Sequence, residues 1–248
     1  HTIESVLNQS YTNKEHIIID GGSSDKTVDI IKNYDSDLVY WISEPDQGIA
    51  DAMNKGIAKA SGDYLLFLNS DDYLVDDHVL GRASEVMQDG IDIYIFRVKF
   101  LYPDGREMTS LNHGLGMLTN FKMGSCHQGQ LISTRLASKL GGFDVSLRIN
   151  FDYDLLLRTY RYGAKSETNE MILSVMRQVG ISSRRDWVGF KNRYDEEKLV
   201  HNKNVDSMLM KIIYKIYWFL YIPYRYFRYC LIMINKKYLK TKDIKALQ

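Results

Sequence analysis

Two short apolar runs, each stopping abruptly at a polar turn that carries acid, constrain this chain more than any other feature. His16 to Ile19 is β-branched and ends at Asp20 and the turn Gly21-Gly22-Ser23; Tyr64 to Leu68 ends at Asn69-Ser70-Asp71-Asp72. Between them the spacing becomes helical. Ser24 or Asp25 is placed to cap a helix running to about Tyr34, with Val28, Ile31 and Tyr34 near helical spacing. Leu38 to Ile42 reads as a second strand and Ile49 to Ala60 as a second helix. In that helix Asp51, Lys55 and Lys59 line one exposed face. The other stripe holds Ala50, Met53, Asn54, Ile57 and Ala58, so one amide sits among apolar residues. Strands alternating with helices through short loops predict an α/β fold, a parallel sheet covered by helices on both faces. Ligands of such sheets bind beyond the carboxyl ends of the strands, where Asp20 and the Asp71-Asp72 pair both fall.

The pattern changes after a helix expected from about His78 to Gln88. Ile91 to Leu101 reads as a strand, Pro103-Asp104-Gly105 as a hairpin turn, and Leu131 to Ser133 as another short strand. Tyr153 to Tyr162 reads as a helix closed by Gly163. From about Asp206 the composition shifts to Ile, Leu, Met, Tyr, Phe and Trp, with Lys211, Lys215, Arg225 and Arg228 interspersed. Its longest uncharged stretch, Ile216 to Tyr224, is far short of the roughly 20 residues a spanning helix needs. Aromatics mixed with lysine and arginine suit a helix lying in a membrane interface. Helices packed on the preceding domain or on a partner subunit fit the same residues.

Charge excludes one class of partner. Thirty-two basic against 31 acidic residues leave a formal charge of +1, which gives no global field for a polyanion, so no nucleic-acid partner is expected. The two cysteines, Cys126 and Cys230, form neither a disulfide framework nor a metal-ligand spacing, and reduced cytosolic thiols are expected. No basic segment followed by an apolar run opens the chain. The location expected is cytoplasmic, with peripheral contact at the inner face of the plasma membrane. Thr2 to Leu7 already reads as helix, so the chain is expected to begin inside its domain, with an opening strand missing.

Adjacent acids at the tip of a buried strand can hold a hard divalent cation when substrate phosphates supply the remaining oxygens. Asp71-Asp72 taken alone also fits an acidic turn after a strand. Asp20 fits an aspartate bonded to its own turn, although the glycines behind it allow a ligand close approach. Asp152, beside the helix containing Leu155, Leu156 and Tyr160, fits an N-cap or a general base for a hydroxyl. A dinucleotide site would need Gly-x-Gly-x-x-Gly after a strand, and Gly21-Gly22 does not provide it. No Walker-type phosphate loop is present either.

Three blocks together resemble glycosyltransferase family 2. They are SVLNQSYTNKEHIIIDGGSSDKT, then SEPDQGIADAMNKGIAKASGDYLLFLNSDD, then CHQGQLISTRLASKLGGFDVSLRINFDYDLLLR, in that family's order and spanning most of residues 1 to 160. The resemblance implies a GT-A fold: a Rossmann-like mixed sheet flanked by helices, here with a C-terminal helical extension. A catalytic domain would occupy 1–185, its nucleotide-binding half reaching about residue 100 and its acceptor half following. The helical extension would occupy 186–248.

By the same resemblance, Asp20 contacts the nucleotide base, Glu44, Asp46 and Asn54 line the donor site, and Asp71 and Asp72 form the metal motif. Asp72 is the first choice for the direct ligand of Mg²⁺ or Mn²⁺. His127 and Gln128 lie near donor sugar or acceptor, and Asp152 is the catalytic base. The implied activity is inverting transfer of a sugar from a nucleotide-diphosphate donor, UDP favoured, to a saccharide or lipid-linked saccharide acceptor in bacterial surface polysaccharide or glycolipid synthesis. A member that binds nucleotide-sugar, or scaffolds an assembly, without turnover is the alternative. The sequence departs from the family pattern in three places. The usual first strand is absent, Asn69 stands where an acid often opens the metal motif, and Phe151 stands where many members carry an acid.

Overall fold

The structure is a computed structural model that describes residues 1–178 and 186–246. It divides into two compact units, His1–Ile181 and Ser182–Gln248.

In the first unit, helix α1 (Thr2–Leu7) precedes strand β1 (Ile17–Asp20), helix α2 (Thr27–Lys32) and strand β2 (Tyr40–Ser43). Helix α3 (Ile49–Lys59) leads to the two-residue strands β3 (Tyr64–Leu65) and β4 (Tyr73–Leu74), then helix α4 (Val79–Glu85). Strands β5 (Ile93–Leu101) and β6 (Glu107–Thr109) form the hairpin expected around Pro103-Asp104-Gly105. Strand β7 (Gln130–Ser133), helices α5 (Thr134–Lys139) and α6 (Phe151–Tyr162) and strand β8 (Ser166–Arg177) complete the unit. Gly163, in the left-handed conformation at φ 79°, closes α6 as the sequence predicts.

The all-parallel sheet expected from strand–helix alternation is not what forms. β1 and β2 pair in parallel as a separate two-stranded sheet. A second, mixed sheet runs β3-β7-β5-β8-β4, with β6 on β5. In it β5 and β8 are parallel and the other pairs antiparallel. An apolar run such as Ile93 to Phe96 records burial on both faces, not the direction of its neighbours. The mixed sheet flanked by helices that the family resemblance implies does form.

β5 is central because its first four residues are all buried between β7 and β8. Leu74, Val79, Ala83, Tyr94, Phe96, Leu131 and Leu173 form a core cluster. β3 ends after Leu65, short of the expected Leu68, yet Leu66 and Leu68 still pack against that cluster. The cap expected from Ser24 or Asp25 is also corrected. Lys26 occupies the N-cap of α2, and the Asp25 carboxylate accepts from the Thr27 amide in a turn of its own.

In the second unit, helix α7 (Trp187–Lys203) packs on the long helix α8 (Met208–Ala246) through aromatic rings. Trp187 meets Tyr226 edge-on, and His201 stacks on Tyr214 at 4.3 Å while accepting from Trp218 Nε1. No helix among the described residues is long and apolar enough to cross a membrane.

Candidate active site

Asp20, the last residue of β1, is buried at the strand's carboxyl end. Its carboxylate accepts from the Gly22 and Ser23 amides and from the Ser23 and Ser43 hydroxyls. Burial alone would raise its pKa, but these hydrogen bonds outweigh it and hold the carboxyl below its ordinary value. Glu44 and Asp46 lie at the same edge. The Glu44 amide donates to the Asp20 carbonyl, and Asp46 sits where any Cβ on Gly21 would be. The Glu44 carboxylate pairs with Lys55 at 2.8 Å, so Lys55 does not stand on a simple solvent face.

Asn54 is bonded elsewhere. Its amide donates to the Phe143 carbonyl and its oxygen accepts from the Phe143 amide, at 2.8 and 2.7 Å. Both ends of the side chain therefore fasten the Gly141-Gly142-Phe143 turn to α3, which accounts for an amide on an apolar stripe. The same turn is gripped from α6. Arg158, paired with the fully buried Asp154, donates to the carbonyls of Leu140 and Gly142. Asp154 and Arg158 escaped sequence reasoning; their i, i+4 spacing was the available signal.

The acidic turn is sorted by burial. Asp72 is 1% exposed, and its carboxylate accepts from Gln128 Nε2 at 2.7 Å, Asn69 Nδ2 at 3.1 Å and the Arg177 amide at 3.2 Å. Burial pushes its pKa up, partly offset by the Gln128 hydrogen bond, with the neighbouring Asp71 charge pushing further the same way. Asp71 is only partly buried. Asp72 thus ties together the acidic turn, the residues before β7 and the end of β8, while Asp71 is the more accessible carboxylate. Among the described residues no group of three or more His, Cys, Asp or Glu could hold a metal ion. Two adjacent carboxylates still fit a hard divalent cation whose other ligands are phosphate oxygens.

A short 3₁₀ turn, His127–Gly129, joins this turn to Asp152. His127 Nδ1 lies 3.2 Å from Asp152 Oδ2, with the two side chains 10% and 11% exposed. A carboxylate only accepts, so the proton between them is assigned to Nδ1. His127 Nε2 and Gln128 Oε1 are buried without a hydrogen-bond partner among the described residues. The N-cap alternative for Asp152 does not hold, because Asn150 is the N-cap of α6 and Asp152 lies in the first turn. Phe151 is buried edge-on against Phe143 at 5.7 Å and 6.1 Å from the His127 ring. Burial pushes the Cys126 thiol up to about 12, with Asp152 and Asp72 adding to the shift. A thiol so placed is no nucleophile.

The structure thus gathers Asp71, Asp72, His127, Gln128 and Asp152 in one group and Asp20, Glu44 and Asp46 in another. Comparison with solved structures defines the fold. S. aureus TarS superposes with a TM-score of 0.62 at 17% identity over 83% of this chain and 37% of its own. A TarS fragment solved with UDP-GlcNAc gives 0.63 at 16% identity, covering 83% of this chain and 63% of the fragment. The fold is the GT-A type of glycosyltransferases.

The model for glycosyl transferase family 2 matches residues 1–140. An uncharacterized glycosyltransferase of Mycobacterium tuberculosis is 33% identical over 189 residues, 75% of this chain and 72% of its own. A PGL/p-HBAD biosynthesis glycosyltransferase of Mycobacterium bovis is 25% identical over 217 residues, 84% of this chain and 79% of its own. The chain belongs to glycosyltransferase family 2 and is a glycosyltransferase.

Proposed function

We propose that the chain transfers a sugar, with inversion, from a nucleotide-diphosphate donor to a hydroxyl of a saccharide or lipid-linked saccharide. UDP is the favoured carrier, and bacterial surface polysaccharide or glycolipid synthesis the favoured setting. The observation that supports this reading is the link from Asp152 through His127 and Gln128 to the acidic turn, which brings the Asp152 carboxylate into one cluster with Asp71 and Asp72. Each Asp152 oxygen accepts one hydrogen bond, from His127 or from the Tyr153 amide, and so retains capacity for a proton. Asp152 takes the acceptor hydroxyl's proton as that oxygen bonds to the anomeric carbon. The bond from that carbon to the diphosphate breaks, and the diphosphate leaves with the electron pair.

Asp71 and Asp72 would hold Mg²⁺ or Mn²⁺, which when bound offsets the charge on the departing diphosphate. The accessibility of Asp71 favours it as the direct ligand, with the hydrogen-bonded Asp72 holding the turn in place. Asp20 serves the nucleotide base, and Glu44 and Asp46 the donor edge.

Thermal stability against UDP, GDP, dTDP and CMP, with and without Mn²⁺, tests the donor site. A rise with one nucleotide that needs metal and disappears in Asp71→Ala is the expected result. No rise with any nucleotide would refute the donor site. Donor hydrolysis without acceptor would exclude a binder that never turns over.

We propose further that α8 rests on an anionic membrane surface. Leu209, Ile212, Ile216, Phe219, Leu220 and Phe227 are all exposed and share one side of the helix, roughly opposite Tyr214 and Trp218. From 207 to 242 the sequence has lysine and arginine but no acid, the charge such a surface attracts. Cosedimentation with phosphatidylglycerol vesicles should fall with added salt and fall sharply in Phe219→Ser/Phe227→Ser. Equal recovery of wild type and double variant would refute the contact.

A further inference from the structure

We propose that His127 and Gln128 are positioning residues forming one clamp, with His127 orienting the proton-accepting Asp152 and Gln128 the acidic turn through Asp72. The clamp rests on the transfer reading above. Two adjacent side chains of one turn reach two carboxylates that lie in separate parts of the sequence, at 3.2 Å and 2.7 Å. The turn between them is held on both sides. The Gln128 carbonyl accepts from Ser174 Oγ of β8 at 2.6 Å. A Cβ on Gly129 would stand 2.6 Å from the Phe96 carbonyl oxygen of β5, so the backbone passes the sheet where only glycine fits. A displacement of this turn would therefore carry both side chains with it.

The burial of Gln128 is the second argument. Its side chain is 0% exposed, yet among the described residues its Oε1 has no hydrogen-bond partner. An unpaired buried carbonyl is unfavourable, and an apolar residue of similar volume would remove that cost. An apolar residue would also leave Asp72 without its shortest side-chain hydrogen bond. The amide is therefore explained by what it does for Asp72. With Asp72 fixed, the backbone that presents Asp71 is fixed as well.

The test measures nucleotide release by the full chain, using the nucleotide-sugar whose carrier the stability panel selects. Variants are His127→Phe, His127→Asn, Gln128→Met, the His127→Phe/Gln128→Met double and Asp152→Asn. His127→Phe should lower kcat about 10- to 100-fold with the donor KM little changed, as expected for a displaced reacting group. His127→Asn, which keeps a side-chain N–H, should recover most of that loss. Gln128→Met should raise the Mn²⁺ concentration giving half-maximal rate about 10-fold. At one fixed, subsaturating Mn²⁺ concentration, the rate loss of the double variant should fall short of the product of the single rate losses by about fivefold, because one turn carries both contacts.

Single variants within about twofold of wild type, or losses that multiply, would overturn the clamp while a dead Asp152→Asn left the transfer reading standing. An active Asp152→Asn would remove the base assignment and the clamp together. If Gln128→Met shows no cooperative melt, the His127→Phe and His127→Asn pair decides by whether the asparagine rescues turnover.

Discussion

At the scale of single residues, burial separates the two adjacent acids of the turn after β3. Asp72 accepts three hydrogen bonds at 1% exposure, whereas Asp71 is partly exposed. Asp72→Asn should cost about 1–3 kcal/mol in urea unfolding, since an amide turns a donor toward groups that already donate. Asp71→Asn should change stability by less than about 0.5 kcal/mol and abolish the metal-dependent nucleotide response. Histidine 16 gives a pH signature. Burial, with Lys14 adding to it, lowers its pKa from 6.5 to about 4. As pH falls below 6.5 the unfolded chain takes up this proton before the native chain does, so stability falls between pH 6.5 and about 4. Stability of His16→Gln, followed by thermal melting, should vary less across that window than that of wild type.

At the scale of elements, the Gly141-Gly142-Phe143 turn shows how the site is framed. Asn54 from α3 and Arg158 from α6 hold it from two sides. Gly142 has φ +68°, and a Cβ there would overlap the Asn54 oxygen. Gly142→Ala should therefore lower stability by about 1–3 kcal/mol in denaturant titration, through both strain and lost bonds. Removing the Asp154 carboxylate with Asp154→Ala should cost about 3 kcal/mol or more, because Arg158 keeps its charge beside a buried vacancy.

Elements whose signal is local could be read in advance. Asp20 with its glycines, the acids after β3 and the Gly163 stop are chemistry within a few residues. β8 could not be read in this way: its first half, Ser166 to Glu170, is as polar as a loop and becomes strand only because β5 lies beside it. Likewise, nothing local in the sequence tells that Asn54 meets Phe143 or that Gln128 meets Asp72. Those contacts join positions far apart in the chain, and the three family blocks indicated a shared site without showing which atoms meet.

At the scale of the whole molecule, one unit carries the family 2 fold and a second presents a helix with an apolar outer stripe and basic charge. In the proposed mechanism Asp152 accepts the proton in a transfer whose donor is held at Asp71 and Asp72. Initial rates of nucleotide release, with and without a saccharide acceptor, measure this most directly when wild type is set beside Asp152→Asn. Asp152→Asn should bind nucleotide and metal as wild type does, by thermal shift, while acceptor-dependent release falls by about 100-fold or more. Acceptor-dependent release at the wild-type rate in Asp152→Asn would contradict it.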